Sequence, residues 1–271
     1  MSFVTRSPQM SGLSMRRAVP LTIASCALAI MIGPAMAQTP SPDLMKPAET
    51  YKFCLDMARS YPEQGFEFAG KWVGLSGGEP AKHCRAVALL GLREFNEAAT
   101  RLEELAQGSK QDNTVRAGML AQAAQAWLLG GQTERAYAAQ TSALQLLPRD
   151  VSILMDRAAT LAEAKNYWQA IDDLNVVLGI EPKNVDALAF RASAYRMVEA
   201  DDLAFDDAER AVTLDPNNIS ALLERGNLHR MKGRNAQARK DWMKILEITS
   251  DGEAAKAARA NIEKLDVNPE K

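Results

Sequence analysis

The chain has 271 residues and a formal net charge of −2; 47% of its residues are hydrophobic, 24% are charged and only 6% are aromatic. This near-neutral balance excludes the basic footprint that nucleic-acid binding requires, so no nucleic-acid partner is expected. The chain is long enough to bury a core, and its few aromatic and many alanine residues favour closely packed helices over sheets.

The first 37 residues have the parts of an export signal. Arg16 and Arg17 precede the apolar run AVPLTIASCALAIMIG, and the small-residue motif AMA that ends this segment suits a cleavage site. We expect a signal peptide over 1–37, a mature chain that starts at Gln38, and export to the periplasm. The apolar run is shorter than the roughly 20 residues of a membrane-spanning helix, so the mature form is expected to have no stable span.

Two alternatives remain open within this segment. The stretch IASC resembles a lipobox that would anchor the protein to lipid through Cys26, although the run stays apolar beyond it, where a mature lipoprotein usually starts polar. Met15 is an equally good start of translation.

Removal of the signal leaves two cysteines, Cys54 and Cys84, in a chain that is bound for an oxidising compartment. We therefore predict a disulfide between them, which would contribute about 3 to 4 kcal/mol if it is unstrained. Around them, residues 38–47 are rich in proline and predict a flexible leader. Residues 48–78 have the pattern of a degenerate helical pair.

The stretch GLSGGEPAKHC, residues 74–84, contains the G-x-S-x-G pattern of a serine nucleophile elbow. That motif requires a turn from a strand into a helix of an α/β sheet, and the sequence has no strand–helix alternation. We interpret Gly77 or Gly78 as the residue that ends one helix, and Pro80 as part of the first turn of the next. We expect no catalytic Ser76, no metal ligands and no cofactor site.

A period of 34 residues then runs through the chain, and it indicates stacked helical hairpins. Pro148, Pro182 and Pro216 each close a similar phrase. Small residues, which let two helices approach closely, recur with the same step, and larger residues recur between them. The small positions are Ala124, Ala158, Ala192 and Gly226, then Ala136, Ala170, Ala204 and Ala238; the larger ones are Trp127, Leu161, Tyr195 and His229.

These residues resemble the tetratricopeptide repeat, a 34-residue helix–turn–helix unit. Four consecutive repeats fit at 117–150, 151–184, 185–218 and 219–252. A weaker one fits at 79–112, and the segment GSKQDN after it is expected to hold about four extra loop residues. The resemblance implies an all-α, right-handed α-solenoid of stacked hairpins over 79–252. The amphipathic segment 253–266 is expected to form a C-terminal capping helix, because a solenoid must cover its exposed end.

Charged residues follow the same period. Arginines recur at one first-helix position and aspartates at one second-helix position, namely Arg157, Arg191 and Arg225 and then Asp173, Asp207 and Asp241. The preceding repeat has alanine at both positions, Ala123 and Ala139. We predict that each arginine meets its aspartate across the hairpin, as an exposed pair that contributes about 0.2 to 1 kcal/mol.

In tetratricopeptide proteins the first helices of successive repeats line a concave groove that receives a peptide or helix, so the resemblance implies a binding scaffold without catalysis. The residues that map to the groove are Gln125, Leu128, Met155, Ala159, Ala189, Ser193, Arg196, Leu223, Asn227 and Arg230, with His83, Val87 and Ala121 on the same surface. The lysine position of the family's carboxylate clamp holds Ala121, Met155, Ala189 and Leu223, so no clamp is expected. Arg196 and Arg230 are expected to meet acidic groups of a partner.

Two functions remain as hypotheses. The first is a periplasmic adaptor that binds a protein or peptide partner in the groove, in envelope assembly or secretion. The alternative is a non-catalytic accessory subunit that docks permanently into a larger envelope complex through its convex face or capping helix. The oligomeric state is left open by the sequence.

Overall fold

The computed structural model describes residues 46–267, which form thirteen α-helices and no strand. The predicted signal peptide (1–37), Cys26 and residues 38–45 of the predicted leader lie outside the described residues. The helices are α1 (Pro47–Ser60), α2 (Pro62–Gly74), α3 (Gly78–Gly91), α4 (Phe95–Gly108), α5 (Asn113–Leu129), α6 (Thr133–Leu146), α7 (Val151–Glu163), α8 (Tyr167–Ile180), α9 (Val185–Met197), α10 (Asp201–Leu214), α11 (Ile219–Met231), α12 (Asn235–Ile248) and α13 (Gly252–Val267). None of these helices is both long and apolar enough to cross a bilayer.

Each helix packs against its neighbours in the chain, so that α1 to α12 form six successive hairpins and α13 follows the last. The prediction of an all-α solenoid of helical hairpins is confirmed for this part of the chain. We call the odd-numbered helices α1 to α11 the first helices of their hairpins, and the even-numbered helices α2 to α12 the second helices.

Side-chain caps begin the first helices of the four regular repeats. Asp112, Asp150, Asn184 and Asn218 each accept a hydrogen bond from the backbone N–H three residues later, at 2.9 to 3.0 Å. A cap of this kind contributes about 1 kcal/mol, because it satisfies an N–H that has no partner within the helix. The caps at Asp150, Asn184 and Asn218 recur with the 34-residue period and set the same starting point for their three hairpins.

One residue with positive φ joins the two helices of each hairpin from α3 onwards. These residues are Arg93, Gly131, Lys165, Glu199 and Gly233. The N–H of the following residue donates to a carbonyl five positions back, as in the 2.8 Å bond from Asn166 to Leu161, which completes a Schellman cap. Only two of the five are glycines, so packing of the two helices imposes the left-handed conformation on the others.

The same cap explains the G-x-S-x-G segment. Ser76 has a φ of 62°, and the N–H of Gly77 donates to the carbonyl of Trp72 at 2.9 Å. The expectation that Gly77 or Gly78 would end α2 is wrong, because Ser76 is the left-handed residue of the cap. Helix α3 begins at Gly78, and Pro80 lies in its first turn.

The small residues of the repeat lie where helices touch. Ala124, Ala158 and Ala192 are buried, and Gly226 replaces alanine in the last repeat. A Cβ atom at position 226 would lie 2.5 Å from Nε1 of the fully buried Trp242. The glycine is therefore needed because a tryptophan packs against it from the second helix.

The four extra residues expected in GSKQDN lengthen a helix and not a loop. Helix α5 has 17 residues, whereas α7 has 13. Residues 109–112 connect α4 to α5, and 147–150 connect α6 to α7, so the two connections are of equal length. The Asp112 cap starts α5 about one turn earlier than the repeat frame does.

Helix α13 covers the end of the stack. It spans Gly252–Val267 and packs against α11 and α12, with Ala255, Ala258 and Leu265 buried. The predicted segment 253–266 therefore forms a helix that covers the apolar side of the last hairpin.

The predicted disulfide between Cys54 and Cys84 is present and joins α1 to α3. Their Cα atoms are 6.1 Å apart, and both residues are fully buried beside Phe68 and Trp72. The bond fastens the irregular first hairpin to the rest of the stack.

Replacing both cysteines, Cys54→Ala with Cys84→Ala, should lower the free energy of unfolding by about 3 to 4 kcal/mol, because the unfolded chain loses its cross-link. Urea denaturation of the oxidised and reduced wild-type chain and of the double variant measures this. The reduced wild type separates the cross-link from the effect of the truncated side chains. If both cysteines titrate as free thiols in protein from an oxidising compartment, the disulfide assignment is contradicted.

Candidate functional site

The predicted groove residues lie on α5, α7, α9 and α11. We call the side of these helices that carries them the first-helix surface. On α5 and α7, Gln125 and Ala159 are exposed, and Leu128 and Met155 are partly buried. This N-terminal part of the surface therefore offers two solvent-facing positions beside accessible apolar side chains.

The C-terminal part of the surface is filled by the protein's own residues. Ala189 is only 1% exposed, so its predicted position in an open groove is wrong. The guanidinium of Arg196 donates to the carboxylate of Glu224 on α11, at 2.7 and 3.2 Å. Arg196 was expected to meet an acidic group of a partner, and in this structure that acidic group belongs to the next repeat.

Helix α13 packs against α11, which is the first helix of the last hairpin. The amide of Asn261 donates to Oδ1 of Asn227 at 3.0 Å, and Leu223 packs in the apolar cluster that includes Ile262. The predicted groove residue Asn227 thus contacts the capping helix, and Leu223 is partly buried against the apolar core. Ser193 and Arg230 are partly buried. A partner would have to displace α13 to use this end.

The three predicted arginine–aspartate pairs are confirmed. Each guanidinium donates two hydrogen bonds to its aspartate, at 2.6 to 2.9 Å, in the pairs Arg157–Asp173, Arg191–Asp207 and Arg225–Asp241. The expectation that the pairs are exposed is wrong, because only 16 to 20% of each arginine side chain and 4 to 6% of each aspartate side chain is accessible. The hydrogen bonds to aspartate raise the pKa values of these arginines.

Each arginine also reaches the hairpin before its own. Arg157 donates to Oγ1 of Thr141 on α6 at 3.2 Å, and Arg191 donates to Oδ1 of Asn175 on α8 at 2.7 Å. Arg225 lies 3.6 Å from the carboxylate of Glu209 on α10. The acceptors at this third position follow the 34-residue period, a signal that the sequence contained and that our prediction missed.

At the N-terminal end, a hydrogen-bonded chain joins α1, α3 and α5. Oη of Tyr51 lies 2.9 Å from Nδ1 of His83, and Nε2 of His83 lies 3.0 Å from Oε1 of Gln122. Burial lowers the pKa of His83, against a smaller opposing effect of the bond to Gln122, and burial raises the pKa of Tyr51. With a neutral imidazole, Nε2–H donates to Gln122 and Nδ1 accepts from the Tyr51 hydroxyl.

This arrangement bears on the apparent serine motif. Both ring nitrogens of His83 are engaged by Tyr51 and Gln122, and Ser76 lies in the exposed turn before α3. The imidazole is therefore not set to accept a proton from Ser76. The other histidine, His229, is buried with its ring edge-on to Phe205, as expected for a packed repeat residue. Residues 46–267 contain no group of three or more side chains that could hold a metal ion.

Comparison with known proteins supports the fold. No protein-family model matches the chain, and no curated protein matches it. Among solved structures, residues 41 to the end of MamA from Desulfovibrio magneticus RS-1 match with a TM-score of 0.55 and 24% identity, over 63% of this chain and 94% of that one. YrrB, a tetratricopeptide-repeat protein with an unusual peptide-binding site, matches with a TM-score of 0.54 and 16% identity, over 69% of this chain and 92% of that one.

Asp207→Ala should lower the free energy of unfolding by about 3 to 5 kcal/mol, because it leaves the largely buried Arg191 without its counter-charge. A double-mutant cycle with Arg191→Ala should give a coupling energy above the roughly 1 kcal/mol limit of exposed pairs. The exposed pair Arg101–Glu97 on α4 is the control and should show no measurable coupling. Zero coupling between Arg191 and Asp207 would contradict the role of the pair.

His83 should make the free energy of unfolding depend on pH. Its pKa is lower in the folded chain, so the unfolded chain takes up the proton first as pH falls. Stability that is complete above the unfolded pKa of about 6.5 is then lost as pH falls from there through the folded pKa. We expect the free energy of unfolding to decline in that window, and His83→Gln to reduce the decline.

Urea denaturation at a series of pH values checks this expectation. His229→Gln is the matched comparison, because burial lowers the pKa of His229 as well. A decline that is unchanged in both single variants and in the double variant would show that neither imidazole is responsible.

Proposed function

We propose that this chain, a tetratricopeptide-repeat protein by its fold, is an exported periplasmic scaffold that binds a protein or peptide partner on the N-terminal part of its first-helix surface. We infer that it serves as an adaptor in envelope assembly or secretion, and we assign no reaction to it.

The contrast between the two ends of the first-helix surface carries this proposal. On α9 and α11 the surface is closed by the Arg196–Glu224 ion pair and by α13. On α5 and α7 the exposed Ala159 leaves the helix backbone approachable, and the exposed Gln125 offers an amide to a peptide backbone. An extended or helical segment could therefore lie across α5 and α7 without displacing any part of the chain.

Two observations support export. The first is the signal-like segment 1–37, with Arg16 and Arg17 before an apolar run. The second is the buried bond between Cys54 and Cys84, since disulfides persist in oxidising compartments.

One observation favours the accessory-subunit alternative. Trp168 on the second helix α8 is 60% exposed, and Leu203 on the second helix α10 is 50% exposed. Exposed tryptophan side chains are frequent at protein interfaces. A permanent partner that covers the second helices would bury them.

A photo-crosslinking residue at Ala159 distinguishes the two functions in cells that make the full chain. The proposal predicts a discrete covalent adduct from Ala159, because this position faces the partner. The matched control is the same residue at Asp172, an exposed position on the second helix α8, which should give no adduct. Fractionation of the same cells should place a chain that starts at Gln38 in the periplasm.

An adduct from Asp172 alone would support the accessory subunit and contradict the adaptor. No adduct from either position would contradict both. A chain that keeps residues 1–37 and stays in the cytoplasm would contradict export.

A further inference from the structure

A cleft of about 350 Å³ lies between α1, α3 and α5, beside the N-terminal end of the first-helix surface. Val115 and Met119 give it an apolar side, and Gln111, Thr114 and Gln122 give it polar groups. Of the residues predicted for the groove surface, His83 of the weak repeat lines the cleft, and none of those in the four regular repeats does.

One wall of the cleft is held in a fixed shape. The hydrogen bonds from Tyr51 to His83 and from His83 to Gln122 cross from α1 to α5 through α3. The Cys54–Cys84 bond joins the same two helices, α1 and α3, within one turn of Tyr51 and His83. Because Oε1 of Gln122 accepts from the imidazole, its NH₂ group remains as a donor at the cleft.

Gly118 lies on the cleft in the interior of α5, where glycine costs helix stability relative to alanine. A Cβ atom at this position would have no atom within 4 Å. Gly226, by contrast, is required by the side chain of Trp242. Packing within the chain does not call for Gly118, and its missing side chain leaves the backbone of α5 accessible from the cleft.

The lining of the cleft carries one negative charge. Glu79 is the one acidic residue among the described residues that line it, and no lysine or arginine lines it. Oγ of the buried Ser109 donates to Oε2 of Glu79 at 2.8 Å, which orients the carboxylate. A long basic side chain could place its methylene groups against Met119 and Val115 and its charged end at Glu79.

We propose that the cleft between α1, α3 and α5 is an anchor pocket for a lysine or arginine side chain of the bound partner. This inference rests on the proposed peptide-binding function and adds the chemistry of the partner: a basic residue at the end of the segment that crosses α5. The bonds around His83 and the disulfide keep the pocket open before the partner arrives.

The test uses ¹⁵N-labelled mature chain (38–271) and three blocked tripeptides with alanine on each side of a central residue. The arginine and lysine peptides should produce saturable shifts of the backbone amide signals of Val115 and Gly118. The peptide with norleucine, which has a similar length and no charge, should not. Equal responses to norleucine and arginine, or no saturable shift with the basic peptides, would overturn the proposal.

Variants locate the binding. Glu79→Gln keeps an acceptor for Ser109 and removes the charge, so the arginine peptide should bind on the order of tenfold more weakly. Glu67→Gln, which removes the same charge from an exposed position on α2, should leave the affinity unchanged. Equal affinities of wild type and Glu79→Gln would overturn the proposal.

Gly118→Ala should raise the midpoint of thermal unfolding and weaken peptide binding, because a Cβ favours the helix but occupies the cleft. Binding unaffected by this variant would contradict close approach to α5. Crosslinking from Ala159 without any shift at Gly118 would leave the proposed function standing and remove the anchor pocket. Shifts at Gly118 with the basic peptides but no adduct from Ala159 would show that the cleft binds a basic side chain, and would contradict the proposed position of the partner across α5 and α7.

Discussion

The stack depends on three arginines that hold successive hairpins together. Arg157, Arg191 and Arg225 each bind the aspartate of their own hairpin through two hydrogen bonds, and each also contacts a polar residue of the hairpin before. The aspartates are almost fully buried. A shift of one helix along its partner in the hairpin would therefore leave each buried aspartate without its arginine. These contacts therefore fix how each hairpin is placed on its neighbour.

The N-terminal hairpins are joined differently. The corresponding ionic positions are occupied by Ala123 and Ala139, which are buried and leave no place for a charged pair. The Cys54–Cys84 bond and the hydrogen bonds of His83 connect α1, α3 and α5 in their place. The open part of the first-helix surface, on α5 and α7, therefore lies between two ends that are held in different ways. The disulfide holds the N-terminal end, and the arginine–aspartate pairs hold the C-terminal end.

Much of this architecture could be predicted from the sequence, because the 34-residue period fixes the hairpins, the small contact positions and the arginine–aspartate pairs. The bond between Arg196 and Glu224 could not be, since it joins two different repeat positions, and no other pair of neighbouring repeats combines an arginine with an acidic residue at them. The hydrogen bond from Asn261 to Asn227 depends on how α13 packs against α11. Helix α13 lies outside the 34-residue period, so the period does not predict this contact. Tyr51 belongs to a hairpin without the repeat pattern, so its position beside His83 required the structure.

The central claim is that a partner binds the open N-terminal part of the first-helix surface while the C-terminal part stays occupied by the chain itself. Hydrogen–deuterium exchange of the mature chain, with and without its captured partner, tests this most directly. The account predicts slower amide exchange in α3, α5 and α7 and unchanged exchange in α9 and α11. Slower exchange confined to the second helices α8 and α10 would contradict it.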